Sequence, residues 1–166
     1  PFGRLRRLER LRGQRLRVGR LGPALPPAQF DESGLRSLPR TVVVTDKVLR
    51  EKTDSVSRVV AGLQAAGIAV EFFDDVEPDP LVGTARRSAE FARRFAPDGI
   101  IGLGGGSPLD IAKATAAVLA NETPLDQMWG VANIPKPALP MILLPTTAGT
   151  GSEVTPNCIL TDVKPD

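Results

Sequence analysis

Three consecutive glycines, Gly104, Gly105 and Gly106, join an apolar run to a segment that turns helical in "DGIIGLGGGSPLDIAKATAAVLAN" (Asp98–Asn121). A helix start carries unpaired backbone N–H groups and about half a positive charge. A phosphate fits there when the backbone can be approached, and glycine removes the side chain that would block it. Ser107 reads as the N-cap, Pro108 as the first helical residue and Asp110 as the far end of a Ser-x-x-Asp capping box. Two readings stay open. A tight turn into a well-capped helix explains Ser107, Pro108 and Asp110, yet needs only one or two glycines. A cradle in which Gly105, Gly106 and Ser107 give amides to the diphosphate of a dinucleotide explains all three. The spacing is neither Gly-x-Gly-x-x-Gly nor a P-loop, because no Gly-Lys-[Ser/Thr] follows.

A second cluster, "PTTAGTGSEVT" (Pro145–Thr155), holds four threonines, two glycines, Ser152 and Glu153. Hydroxyls and glycine amides can hold phosphate and ribose oxygens or a carboxamide; the alternative is a surface loop built of Ser/Thr turns. Asp46 closes "VVVTD". A carboxylate there can accept both hydroxyls of a ribose and would repel a 2′-phosphate; the alternative is an N-cap for the next helix. The sequence has no histidine, so imidazole acid–base chemistry and an imidazole-bound metal are excluded for these residues.

These groups need elements to position them. Thr41–Asp46 is a continuous β-branched run, as in a strand buried on both faces. Val56, Val59, Val60 and Leu63 recur at helical spacing, and Gly67 suits the residue after that helix. Ile68–Phe73 reads as a second strand, Leu81–Phe95 as a helix and Asp98–Leu103 as a third strand. Pro108–Ala120 follows as a helix, Pro140–Pro145 as a fourth strand and Asn157–Asp162 as a fifth. Strands alternating with helices imply an α/β fold, a Rossmann-like parallel sheet flanked by helices. Ligands of such sheets sit beyond the carboxyl ends of the strands. Asp46, Gly104–Ser107 and Thr146–Thr150 occupy those ends.

The chain has 166 residues and a net charge of +2. Eight arginines and one acid, Glu9, fall in residues 1–20, leaving 13 of the 21 basic and 18 of the 19 acidic residues for the remainder, a net of −5. The basicity belongs to an arm, read as a solvated, partly helical extension with Leu5, Leu8 and Leu11 on one side. No aromatic residue lies between Phe2 and Phe30, which argues against nucleic acid as a partner. Residues 1–40 are taken as a basic, Pro-rich extension and 41–166 as the folded domain. A single cysteine, Cys158, and the lack of an apolar stretch after the N-terminal arginines predict a cytoplasmic protein without a membrane span.

At these residues the chain resembles the iron-containing (group III) alcohol dehydrogenases. "GLGGGSPLDIAKA" is similar to the family's phosphate-binding signature, and "LPTTAGTGSEVT" with "ILTD" to its second signature; "VVVTD" and "VEPDP" match weaker landmarks. The resemblance covers Thr41 to Asp162. It implies a Rossmann-like domain that binds NAD, with NADP as the alternative, followed by an all-helical domain that holds Fe(II) or Zn(II). By position it implies that Asp46 meets the adenosine ribose. Gly105, Gly106 and Ser107 would meet the pyrophosphate with Asp110 close by, and Thr146, Thr147 and Thr150 would line the cofactor. Thr155, Asn157 and Ile159 would lie near the nicotinamide side.

The chain departs from the family in having Pro78-Asp79-Pro80 where Pro-Asn-Pro is frequent, and in opening on the arginine arm rather than a β-hairpin and helix. The family binds its metal through an aspartate and three histidines of the helical domain. That segment is expected to be missing here, so no catalytic or metal residue is assigned. Three functions follow as expectations. The first is the cofactor half of a metal-dependent oxidoreductase acting on a small alcohol or aldehyde, inactive and poorly soluble alone, with weak or no NAD binding and with room for a homo-oligomer. The second is a non-catalytic NAD(H)-binding module. The third is anion or nucleic-acid binding through the arm.

Overall fold

The structure, a computed structural model, describes residues 14–20, 39–130 and 133–163. Four strands form one parallel sheet in the order β3-β2-β4-β5: β2 (Arg40–Val44), β3 (Ala69–Phe73), β4 (Gly99–Gly104) and β5 (Met141–Pro145). The β-branched run of β2 lies at the centre, where Val42, Val43 and Val44 are wholly buried. Helices occupy the crossovers: α1 (Lys47–Lys52) and α2 (Ser55–Ala65) before β3, α3 (Val82–Phe95) before β4, and α4 (Gly106–Asn121) before β5. The Rossmann-like class read from the sequence is the architecture observed.

The helices divide between the two faces. Leu49 of α1 and Val56, Val59, Val60 and Leu63 of α2 pack with Val43, Ile101 and Leu103. The apolar stripes of α3 and α4 pack with Val42, Val44 and Ile100 on the other face, joined by Cys158 and Leu160. Helix α4 is buried almost all round, from Pro108 through Val118. Its alanines permit this, since small side chains let a helix lie close to both a sheet and α3. Gly102 of β4 serves the same end. A Cβ there would stand 2.9 Å from Ala112 Cβ and 2.9 Å from Leu143 Cδ2.

Helix ends follow local chemistry. Gly67 adopts φ +78 after α2, and its N–H and that of Ile68 bond to the carbonyls of Gln64 and Leu63, closing the helix in a Schellman motif. Helix α3 ends on Ala96 in the left-handed region, φ 50, a conformation that costs an alanine energy.

Three expectations are corrected. The fifth strand, β6 (Asn157–Val163), does not extend the parallel sheet; it pairs antiparallel with β1 (Gln14–Arg20) in a separate two-stranded sheet. Residues 14–20 are therefore strand, not part of a helical arm. The alternation of Leu16 and Val18 with arginines is a period-two signal that the charge count obscures. Leu5, Leu8 and Leu11, and the Pro-rich stretch up to Leu38, lie outside the described residues. The third correction is the capping box. Helix α4 starts one residue before Ser107, with Gly105 as its N-cap and no side-chain cap. Gly105 is extended (φ −77, ψ −167), and its carbonyl already accepts Leu109 N–H, so the helix closes before Ser107 can cap it.

Candidate dinucleotide site

The strand order changes direction between β2 and β4, since β3 lies beyond β2 on one side and β5 beyond β4 on the other. Such switch points open a crevice at the carboxyl ends of the strands. A cavity of about 590 Å³ lies there. Its walls include Asp46 after β2, Asp75 and Glu77 after β3, Gly105–Pro108 after β4, and Thr146 and Thr147 after β5. Thus six of the residues read from sequence, Asp46, Gly105, Gly106, Ser107, Thr146 and Thr147, meet in one place.

The three glycines have three different tasks. Gly104 takes φ +148, and a Cβ on it would lie 2.7 Å from Pro108 Cγ. Gly105 faces Thr147, whose Oγ1 would be 2.8 Å from a Cβ. Gly106 opens toward the loop after β5, with Ser152 Oγ 3.4 Å and Thr150 Cγ2 3.6 Å from the position its Cβ would take. Any side chain at the last two positions would fill the space over the first turn of α4. With no side-chain cap there, the amides of Gly106 and Ser107 face the cavity as bare donors. Pro108 has no N–H to leave unpaired. A diphosphate fits this arrangement by charge and by shape.

Of the two readings of Asp46, the structure shows the N-cap. Its Oδ1 accepts Leu49 N–H at 2.8 Å and caps α1. Its Oδ2 accepts no hydrogen bond among the described residues and lies 3.4 Å from the site of a Gly104 Cβ, and the residue lines the cavity. The other carboxylates of the wall are engaged. Asp74 pairs with Arg50, Asp75 with Lys47 at 3.1 Å and Arg87 at 3.2 Å, and Glu77 holds Leu81 N–H and the Thr84 hydroxyl. The hydrogen bond from Lys47 holds the Asp75 carboxyl below its ordinary pKa. Asp75 and Glu77 have both oxygens engaged, whereas Asp46 and Asp74 each keep one oxygen without a hydrogen bond among the described residues, and Asp46 is the one that follows the central strand. Sequence reading assigned no site residue to the Asp74–Pro78 wall, although its last three residues open the weak landmark "VEPDP".

The remaining assigned residues, Asp110, Thr150, Thr155, Asn157 and Ile159, do not line the cavity. Thr150 stands over Gly106. Asp110, expected near the diphosphate, instead accepts from Lys113 Nζ at 3.0 Å and from Ile159 N–H at 3.0 Å. Thr155 and Asn157 meet Lys113 through Thr155 Oγ1, at 3.4 Å, and the Asn157 carbonyl, at 2.6 Å. Ile159 is half exposed. Lys113 was missed in the sequence; the signal was a lysine three residues after Asp110 in an otherwise apolar, alanine-rich helix. Cys158 is buried, and burial pushes its thiol up to about 12, which rules it out as a nucleophile at neutral pH.

A family profile for iron-containing alcohol dehydrogenase matches residues 28–165. The chain belongs to the iron-containing alcohol dehydrogenases. Among members of this family, it is 38% identical over 125 residues to the sulfoacetaldehyde reductase of Bilophila wadsworthia, covering 75% of this chain and 32% of that protein. It is 39% identical over 126 residues to the 1,3-propanediol dehydrogenase of Citrobacter freundii, covering 75% and 33%. A crystal structure of an iron-containing alcohol dehydrogenase from Thermotoga maritima superposes with a TM-score of 0.72 at 39% identity, over 77% of this chain and 36% of that one. The sulfoacetaldehyde reductase of Bifidobacterium kashiwanohense, solved in complex with NAD+, gives 0.64 at 28% identity, over 80% and 38%. The chain thus spans about a third of the length of the relatives it matches.

The metal in the family's name finds no ligand set here. Among the described residues, no three or more His, Cys, Asp or Glu come together to hold an ion. The dinucleotide, by contrast, fits the glycine cradle and the free oxygen of Asp46.

Proposed function

We propose that this chain is the cofactor-holding part of an oxidoreductase that moves a hydride between a small alcohol or aldehyde and a nicotinamide dinucleotide. The observation that carries the reading is the uncapped first turn of α4, kept bare by Gly105 and Gly106 at the mouth of the switch-point cavity. The amides of Gly106 and Ser107 bind the diphosphate. Asp46 Oδ2 accepts from the adenosine ribose, which favours NAD over NADP because a 2′-phosphate would meet a carboxylate. The hydroxyls of Thr146 and Thr147 orient the diphosphate from the β5 side. When bound, the nicotinamide supplies a two-electron hydride carrier.

The described residues contribute binding and orientation and no electrophile for an alkoxide, so the chain alone is expected to hold NAD weakly and not to turn over alcohols. Gly106→Ala tests this reading. The residue is helical, so alanine there leaves the fold at least as stable, while its methyl intrudes on the diphosphate. NAD+ and ADP affinities, measured by NMR titration, should both fall about tenfold, roughly 1.4 kcal/mol, with an unchanged or higher melting temperature. Unaltered affinity in the variant would refute the cradle.

A further inference from the structure

The buried pair Asp110–Lys113 is not explained by the fold. Its side chains are 10% and 1% exposed, and burying two charges stabilises a protein no better than apolar residues of the same volume would. What the pair does is geometric. Lys113 Nζ bonds Asp110 Oδ1 at 3.0 Å, the Asn157 carbonyl at 2.6 Å and Thr155 Oγ1 at 3.4 Å. Asp110 Oδ2 takes the Ile159 N–H at 3.0 Å. Two side chains on one turn of α4 therefore hold Thr155, Asn157 and Ile159, alternate residues of one segment.

That segment ends the threonine-rich loop. The loop itself is exposed from Pro145 to Thr150 and turns on Gly149 and Gly151 at φ 90 and φ 67. It is fixed at its start by Thr146 N–H on the Gly104 carbonyl and at its end by the pair. Between those anchors Thr150 and Ser152 stand over Gly106. Beside the far anchor, Asn157 Oδ1 is buried without a hydrogen-bond partner among the described residues, an acceptor the fold leaves unsatisfied at a cost.

We propose that Asp110 and Lys113 are positioning residues that set the distance between the loop and the first turn of α4, so that the cavity grips both halves of a dinucleotide and not the adenosine diphosphate alone. This rests on the dinucleotide reading above, with the adenosine half on the Asp46 side. The pair touches no ligand; it acts through Thr155, Asn157 and the loop they terminate.

The test is the double variant Asp110→Asn/Lys113→Met in the full chain. It removes both charges together and nearly preserves volume, and the new amide oxygen can still accept from Ile159. NMR titration with ADP and with NAD+ should show ADP affinity within twofold of wild type and NAD+ affinity at least tenfold lower. Equal losses for both ligands, or NAD+ affinity held within twofold, overturn the proposal while leaving the dinucleotide reading intact. A wild-type chain that binds neither ligand overturns that reading and this one with it. Amide exchange in the wild type decides the matter should the variant not fold. Ile159 should exchange as slowly as the interior of α4 and at least a hundredfold more slowly than Gly149; comparable rates for Ile159 and Gly149 would mean that no tether exists.

Discussion

On one face of the sheet, Val42, Val44 and Ile100 lie beneath α3 and α4 in a cluster that also takes in Leu125, Met128, Cys158 and Leu160. On the other face the buried residues of the corresponding cluster are Val43, Val56, Ile101 and Leu103, with Ile142 and Leu144 of β5 only partly covered. The helix that carries the site, α4, belongs to the deep face. Its first turn can be left uncapped because the rest of it is held on all sides, by β4, β5, α3 and β6. The shallow face contributes α1, whose role in the site is to bring Asp46 to the cavity as an N-cap. Rigidity and chemistry are thus concentrated on the same side of the sheet.

That contrast can be broken by substitution. Ile111→Ala, at a wholly buried position of α4, should cost about 2–5 kcal/mol in urea denaturation. Gly104→Ala forces a side chain into φ +148 and against Pro108, and should cost about 1–3 kcal/mol while also weakening NAD binding. Val56→Ala, on the shallow face, removes two methyl groups and should cost about 1.5 kcal/mol. A loss at Val56 equal to that at Ile111 would mean the faces are equally demanding.

Two smaller effects sharpen the picture away from the site. Ala96→Gly relieves the left-handed end of α3 and should raise stability by about 0.5–1 kcal/mol, read as a higher melting temperature. The last concerns pH. Asp75 is held below its ordinary pKa by Lys47, so its contribution is present above the unfolded value of 3.8 and is lost as pH falls through the lower folded value. Asp75→Asn should flatten only the acid end of the stability curve. The step should be near the limit of detection, since Lys47 and Asp75 are more than half exposed and water screens them.

Much of this was legible in the residues themselves. The β-branched Thr41–Val44 run marks the central strand because only a site buried on both faces tolerates it. The glycines, Asp46 and the threonines mark the strand ends. The cap of α4 was misread because a serine followed by an aspartate three residues later satisfies a local rule, whereas the carboxylate of Asp110 is claimed by Lys113 and Ile159, partners far more decisive than a local amide. The pairing of β6 with β1 was not legible: each segment carries a strand signal of its own, but nothing in residues 14–20 or 157–163 names the other as its antiparallel partner. Nor could spacing show that Lys113 reaches Thr155 and Asn157, more than forty positions away.

The solitary thiol offers a way to watch the molecule work. Cys158 sits on β6 between the two residues whose backbones meet the Asp110–Lys113 pair, and it is shielded from solvent. A maleimide or disulfide reagent can reach it only when that strand lifts away from the helix. The labelling rate therefore clocks the seam's opening, and a dinucleotide that clamps the loop should slow the clock.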